Sequence, residues 1–224
     1  MASANPNKKF AVIILGGSEP RPDIAKLLPA DAVIVAADSG WGNARVLGLT
    51  PDVLIGDMDS ILPADLAAAR RSDATVIEFD ADKDATDTEL ALTHAESIGC
   101  TDIVVVSGGG DRLDHVLGII AALGRESLAT CTVTAFIGSA RFTIVRAGSP
   151  ARIDAQVNSL LSIFAVGGPA TGVSLHGTKW QLDNATLSPH ESRGVSNKVT
   201  SSPVAAQVTH GTLIIIEPLA VRNP

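Results

Sequence analysis

Three stretches of this 224-residue chain gather carboxylates where an apolar run gives way to a turn. In VLIGDMDSI (53–61) a strand-like run delivers Asp57 and Asp59 two residues apart. In extended backbone both side chains point to the same side. Such a pair repels itself unless a cation or proton intervenes, and an oxygen-rich site suits Mg²⁺. One aspartate alone could instead cap the helix that SILPADL begins, with Pro63 in its first turn; for the two together, metal is preferred. DADKDATDTEL (80–90) holds five acidic residues and Lys83 just before a helical pattern. Thr86 and Glu89 have the spacing of a capping box, so part of this chemistry serves to start the helix. The free N–H groups of the same turn form an anion site, where Asp87 would hold a metal bridging to phosphate and Lys83 would neutralise a phosphate oxygen. The plain alternative for Lys83 is a solvated surface lysine.

The third stretch, VVVSGGGDRLDHVLG (104–118), reads as a strand, three glycines and a helix. Gly109 and Gly110 would let backbone approach a phosphate, and Arg112 offers a bidentate fork. Asp114 and His115 lie off the apolar stripe of the helix, Asp111 adds an acid between glycines and arginine, and a surface pair between Arg112 and a nearby aspartate is the plain alternative. The stretch matches neither GxxxxGK[ST] nor GxGxxG. A fourth segment, AADSGWGNARVLG (36–48), sets Asp38 at a strand end; a turn with positive φ at Gly40 or Gly42 would explain its glycines without a ligand. All four segments fall at carboxyl ends of expected parallel strands, where open α/β sheets place their ligands.

Bringing these segments together requires a particular scaffold. From 10 to 137, short apolar runs alternate with helical patterns, the mark of β-α units around a mostly parallel sheet. Strands are expected at FAVIIL (10–15), AVIVA (32–36), VLIG (53–56), TVIEF (75–79), IVVVS (103–107) and CTVTAFI (131–137). Helices are expected at about 87–98, stopped by Gly99, and at about 112–123, with Leu113, Leu117 and Ile120 toward the sheet. After about 139 the texture changes to short strands broken by Gly, Pro, Asn and Ser: RFTIVR, ARIDA, SLLSIFAV, TGVSLHG, GVSNKVT, VAAQVTH and TLIIIE. That pattern reads as an antiparallel β domain. The break falls between 138 and 150, around the AGSP turn, giving domains 1–142 and 143–224.

Composition narrows the function. The net charge of −7 argues against a nucleic-acid partner, whose phosphates call for a basic face. Cys100 and Cys131 have neither zinc-ligand nor disulfide-framework spacing and read as buried thiols. The beginning of the chain lacks an apolar leader and no run is long enough for a membrane span, so a reducing cytoplasm is expected.

In order, AADSGWGN, PDVLIGDMDSI, DKDATDTELAL, GGGDRLDH, GTKWQLDNATL and GVSN resemble the thiamine pyrophosphokinase family over residues 33–216. The resemblance implies an N-terminal α/β, Rossmann-like nucleotide domain, a C-terminal antiparallel β-sandwich, and a homodimer with active sites between subunits. It implies diphosphate transfer from ATP to thiamine, with Mg²⁺. By motif, Asp57, Asp59 and Asp87 correspond to the metal and phosphate group, Asp38, Arg112 and Asp114 line the nucleotide and diphosphate region, and Lys83 and Thr86 fall near the junction with thiamine. Trp180, Ser196 and Asn197 match thiamine-contacting positions, the plain alternative for Trp180 being a core tryptophan. An indole face suits a flat heteroaromatic cation, and Ser and Asn can pair with an aminopyrimidine edge. ADSGWGN departs from the family's usual ADGGAN, and Asp111 is an extra acid. The rival readings are a pyrophosphokinase for another hydroxymethyl heterocycle such as a pterin, a nucleotide-sensing module without turnover, and a scaffold whose acids merely cap helices.

Overall fold

The computed structural model describes residues 9–110 and 112–221. The chain divides into two compact units, one running through Ala122 and including Thr130–Gly138, the other comprising Leu123–Ala129 and everything from Ser139. A break at 142/143 would cut through a strand, Ala140–Arg146, that belongs wholly to the second unit.

Six strands form the sheet of the first unit: β1 (Phe10–Ile14), β2 (Ala32–Ala37), β3 (Val53–Gly56), β4 (Thr75–Glu78), β5 (Asp102–Ser107) and β6 (Thr132–Ile137). They lie in the order β4-β3-β2-β1-β5-β6, and every pairing within this set is parallel. The central strands are buried on both faces, which is why they read as unbroken apolar runs. Between them lie α1 (Gly40–Val46), α2 (Pro63–Ala69), α3 (Asp87–Ser97) and α4 (Leu113–Leu123), with two short 3₁₀ segments. No helix among the described residues is long and apolar enough to cross a membrane.

Some local expectations need correction. Helix α4 turns Ile119, Ala122 and Leu123 inward, while Leu113 and Leu117 are 68 % and 58 % exposed. Its sequence is apolar nearly all round, so more than one stripe satisfies helical spacing and packing chooses between them. Neither Asp57 nor Asp59 caps α2: its N-cap is Leu62, with no side-chain bond, and Pro63 opens the helix. In the fourth segment the positive φ belongs to Asp38, at 48°, not to Gly40 or Gly42. Gly40 instead answers a close approach, since a Cβ there would stand 2.1 Å from the Ile14 carbonyl oxygen. Cys100 and Cys131 are free and buried, as expected.

The second unit contains β7 (Ala140–Arg146), β8 (Ala151–Ile153), β9 (Leu160–His176), β10 (Leu182–Leu187), β11 (Asn197–Lys198), β12 (Val204–Gln207) and β13 (His210–Glu217). Their order is β7-β13-β9-β12-β8, with β10 and β11 also on β9, and all the pairings are antiparallel. The expected strands SLLSIFAV and TGVSLHG are one 17-residue strand, β9. A shift in its register with β13, between the Thr171↔His210 and Val166↔Thr212 pairs, spans Gly167–Gly168–Pro169. That is a bulge, and it carries the strand across the apparent breaker. GVSNKVT contributes only the two residues of β11, and LDNATL forms a strand, β10, that the sequence reading missed. Val145, Leu161, Ile163, Leu175 and Leu213 anchor the unit's apolar core.

Gly40→Ala is expected to lower stability by about 2–3 kcal/mol through overpacking against backbone. Gly42→Ala, whose Cβ would meet only side chains, Asp65 Oδ2 at 3.3 Å the nearest, should cost clearly less than Gly40→Ala. Urea unfolding of both variants checks this; equal stabilities would refute the close-approach account.

Candidate active site

The loops that follow β1, β2, β3 and β5 are tied to one another at the carboxyl rim of the first unit's sheet. Asp38 continues the β2 ladder by one bond, its N–H donating to Ile55 O at 2.9 Å, and then leaves it at positive φ. Its side chain is 3 % exposed. Oδ2 accepts from the Ser60 N–H at 3.2 Å and the Ser60 hydroxyl at 2.8 Å, whereas Oδ1 is buried without a hydrogen-bond partner. Leaving such an oxygen unmatched costs about 1–3 kcal/mol unless something else binds it.

Beyond β3 the backbone does not stay extended, because Met58 has φ 64°. The turn nevertheless keeps the pair together, with the Asp59 N–H donating to Asp57 Oδ1 at 3.2 Å. Carboxylate oxygens of Asp38, Asp57 and Asp59 lie within 4.8 Å of one another. Asp87 arrives at the same place from α3. Gly56 admits it: a Cβ there would lie 3.3 Å from Asp87 Oδ1 and 3.2 Å from Asp38 Cβ.

Lys83 joins the two sets, its ammonium bonding Asp57 and standing 3.3 Å from Asp87 Oδ1. That hydrogen bond holds the Asp57 carboxyl below its ordinary value. The Asp57 charge, with some burial, pushes Asp59 up. Burial raises Asp87 and outweighs the ammonium beside it. Burial works against the charge of Lys83, but the bond to Asp57 and the charge of Asp87 prevail and raise it. The donor set is therefore four carboxylates, two of them paired with one lysine, with a buried Asp38 oxygen to spare, which suits a hard divalent cation.

Thr86 is the N-cap of α3 and forms a full capping box with Glu89. Arg112 grips its own neighbour Asp114, Nε to Oδ1 at 3.0 Å and Nη2 to Oδ2 at 2.6 Å, with both side chains largely exposed. This bond lowers the Asp114 carboxyl to about 2. The fork is thus formed but occupied by a neighbour in solvent, and His115 is exposed beside it. Asp111 lies outside the described residues. Of the glycine run, Gly109 donates its N–H to Ser107 Oγ at 3.2 Å, and Gly110 has positive φ with Ser18 close by.

The sequence reading missed the polar ties behind the rim. Ser60 Oγ reaches Ser39 Oγ at 3.1 Å, and Asn43 Nδ2 donates to Leu15 O at 2.9 Å and Ser18 O at 3.3 Å. The available signal was GGSEP (16–20), small residues directly after the first strand.

In the second unit Trp180 is 57 % exposed and is not a core tryptophan. Asn197 is 2 % exposed, and its amide is fully committed: Oδ1 accepts from the N–H groups of Trp180 at 3.1 Å and Lys198 at 2.8 Å, while Nδ2 donates to Trp180 O at 2.7 Å and Thr178 Oγ1 at 3.2 Å. Ser196 is exposed, has φ 56°, and donates its N–H to Ser162 Oγ at 3.1 Å.

Replacing Lys83 by Met should leave Asp57 and Asp87 facing each other without their cation. Stability in magnesium-free buffer is expected to fall by about 1–2 kcal/mol. Chemical denaturation without Mg²⁺ measures it, and an unchanged midpoint would contradict the ion-pair account.

Residues 24–134 match the thiamin pyrophosphokinase catalytic domain, and residues 152–213 match the thiamin pyrophosphokinase vitamin B1 binding domain. No curated protein matches the sequence significantly. Among solved structures, the chain is similar to thiamine pyrophosphokinase from Bacillus subtilis, at 22 % identity and TM-score 0.80, covering 93 % of this chain and 98 % of that one. It is similar to thiamin pyrophosphokinase from Geobacillus thermodenitrificans, at 25 % identity and TM-score 0.75, covering 92 % and 96 %. It is also similar to thiamin pyrophosphokinase from Candida albicans, at 15 % identity and TM-score 0.76, covering 94 % and 89 %. Matched in both its catalytic and its vitamin-binding part, the chain belongs to the thiamin pyrophosphokinase family and is an enzyme of that kind, making thiamine diphosphate from thiamine and ATP.

Proposed function

We propose that the transfer takes place at the carboxyl rim of the first unit, with Asp57, Asp59 and Asp87 as Mg²⁺ ligands and Asp38 beside them. The observation that carries this is the buried, unmatched Oδ1 of Asp38 next to two further carboxylates. These carboxylates would hold Mg²⁺, which would supply positive charge to offset that of the polyphosphate. The chain's own residues do the rest. The N-terminus of α3 and the Gly110 backbone offer N–H donors to phosphate, and Gly109, whose own N–H is taken by Ser107 Oγ, shapes the turn beside it. Lys83 exchanges an aspartate for a phosphate oxygen, and Arg112 turns its fork from Asp114 to the diphosphate, with His115 nearby. The primary hydroxyl of thiamine attacks the β-phosphorus in line, AMP leaves, and Asp57 or Asp59 accepts the hydroxyl proton. No covalent intermediate with the enzyme is required.

In the same reading the first unit is a Rossmann-like nucleotide domain and the second a β-sandwich that binds thiamine. Trp180 and Ser196 meet the ring system, and Asn197 fixes the backbone of Trp180. The enzyme works as a cytoplasmic homodimer, each second unit serving the carboxylates of the other subunit.

Incubation with thiamine, ATP and Mg²⁺ should give AMP and thiamine diphosphate; ADP with thiamine monophosphate would mean an ordinary kinase, and turnover of a hydroxymethylpterin instead would move the substrate. Asp57→Asn and Asp59→Asn should each lower turnover by about a hundredfold or more without loss of fold. Near-normal rates in both would remove the metal assignment.

Mixing Asp57→Asn with Trp180→Leu subunits tests the dimer. If sites are shared, random pairing restores one intact site per mixed dimer, and at thiamine well below saturation, where Trp180→Leu alone keeps about a tenth of the activity, the mixture recovers to about a quarter of wild type. No recovery after subunit exchange would place each site within one chain.

A further inference from the structure

Trp180 carries its indole at the surface on a rigidly held backbone. The Asn197 amide bonds both the N–H and the carbonyl of Trp180, and Lys179 N donates to Lys198 O at 2.8 Å. Four hydrogen bonds of one buried asparagine thus fix a short loop whose aromatic side chain is 57 % exposed. Such an arrangement costs solvation of the ring and suits a surface prepared to receive something flat.

One face of the ring is not open. The ammonium of Lys179 stands 4.6 Å from the centre of the indole. An exposed lysine ordinarily keeps its charge in water, and among the described residues no carboxylate pairs with this one. It rests on the electron-rich face of the neighbouring indole, the position that a heteroaromatic cation would also occupy.

We propose that Lys179 is an internal competitor for the thiamine platform, an affinity-setting residue that covers the Trp180 face until the cationic ring of the substrate displaces it. This rests on the reading of Trp180 as a thiamine contact. Substrate and lysine gain the same cation–π attraction, so the exchange is nearly neutral for a cation. A neutral aromatic must displace the ammonium and recovers less. The lysine therefore weakens every flat ligand by the same amount and sets the affinity of the platform, while the preference for cations comes from the indole face itself.

Calorimetric titration with thiamine is the test, on the full chain and on variants whose folding is confirmed by thermal melts; both side chains are exposed, so their replacement leaves packing intact. Lys179→Met should bind thiamine about two- to five-fold more tightly, the equivalent of the ~0.5–1 kcal/mol of an exposed cation–π contact. Lys179→Arg, which keeps a cation able to stack, should bind no more tightly than wild type. Trp180→Leu should bind about tenfold more weakly, and adding Lys179→Met to it should bring no gain. Wild-type affinity in Trp180→Leu would overturn the thiamine assignment of Trp180 itself. Weakened binding there, with no tightening in Lys179→Met or the same tightening in both backgrounds, would overturn the competitor role alone.

Discussion

Negative charge held at close quarters is the constraint on which the first unit is arranged. Asp38, Asp57 and Asp59 lie within a few ångströms, and Asp87 is drawn in through Lys83. Carboxylates this close separate unless the backbone leaves them no alternative. Here it leaves none: Asp38 is pinned at positive φ by Ser60 and by the β2–β3 ladder, and Asp87 follows a capped helix start. The sheet thus works as a clamp on charge, and among the described residues Lys83 is the one ammonium paired with these acids.

The supporting parts are small for the same reason. Glycine stands at two of these positions because a Cβ would collide with the Ile14 carbonyl at Gly40 and crowd the side chains of Asp38 and Asp87 at Gly56. Short hydroxyl contacts between Ser39 and Ser60, and the reach of Asn43 to the β1 loop, replace the apolar packing that would otherwise hold such loops. These polar ties sit beside the clustered acids, so hydrogen bonds and not apolar packing hold the rim.

Much of this was legible in the residues. Strands of a parallel sheet are buried on both faces, and their uninterrupted runs of Val and Ile announce them. The aspartate pair at 57 and 59 and the capping box at Thr86 were visible as spacing. What escaped depends on partners far along the chain. Helix α4 offers more than one apolar stripe, and only packing decides that Ile119 and Leu123 go inside. The strand end places Asp38 at the same rim as the other acids, but nothing in sequence reveals that its carboxylate comes within one cluster with Asp57 and Asp59. Trp180 could have been core or surface; its exposure follows from a backbone held by Asn197, 17 residues on. Strand β10 hides behind Asp183, Asn184 and Ala185, whose low β preference masks a partner of β9 that pairs with two shifts of register.

Strand β9 has a consequence of another kind. It alone pairs with β10, β11, β12 and β13, so four ladders share one backbone segment. A segment with so many dependants has no partial form: until its two halves are both seated, none of the hairpins around it has a complete neighbour. The second unit should accordingly melt in one step, and a polypeptide cut at the Gly167–Pro169 kink would lose the aromatic platform and the β13 edge together.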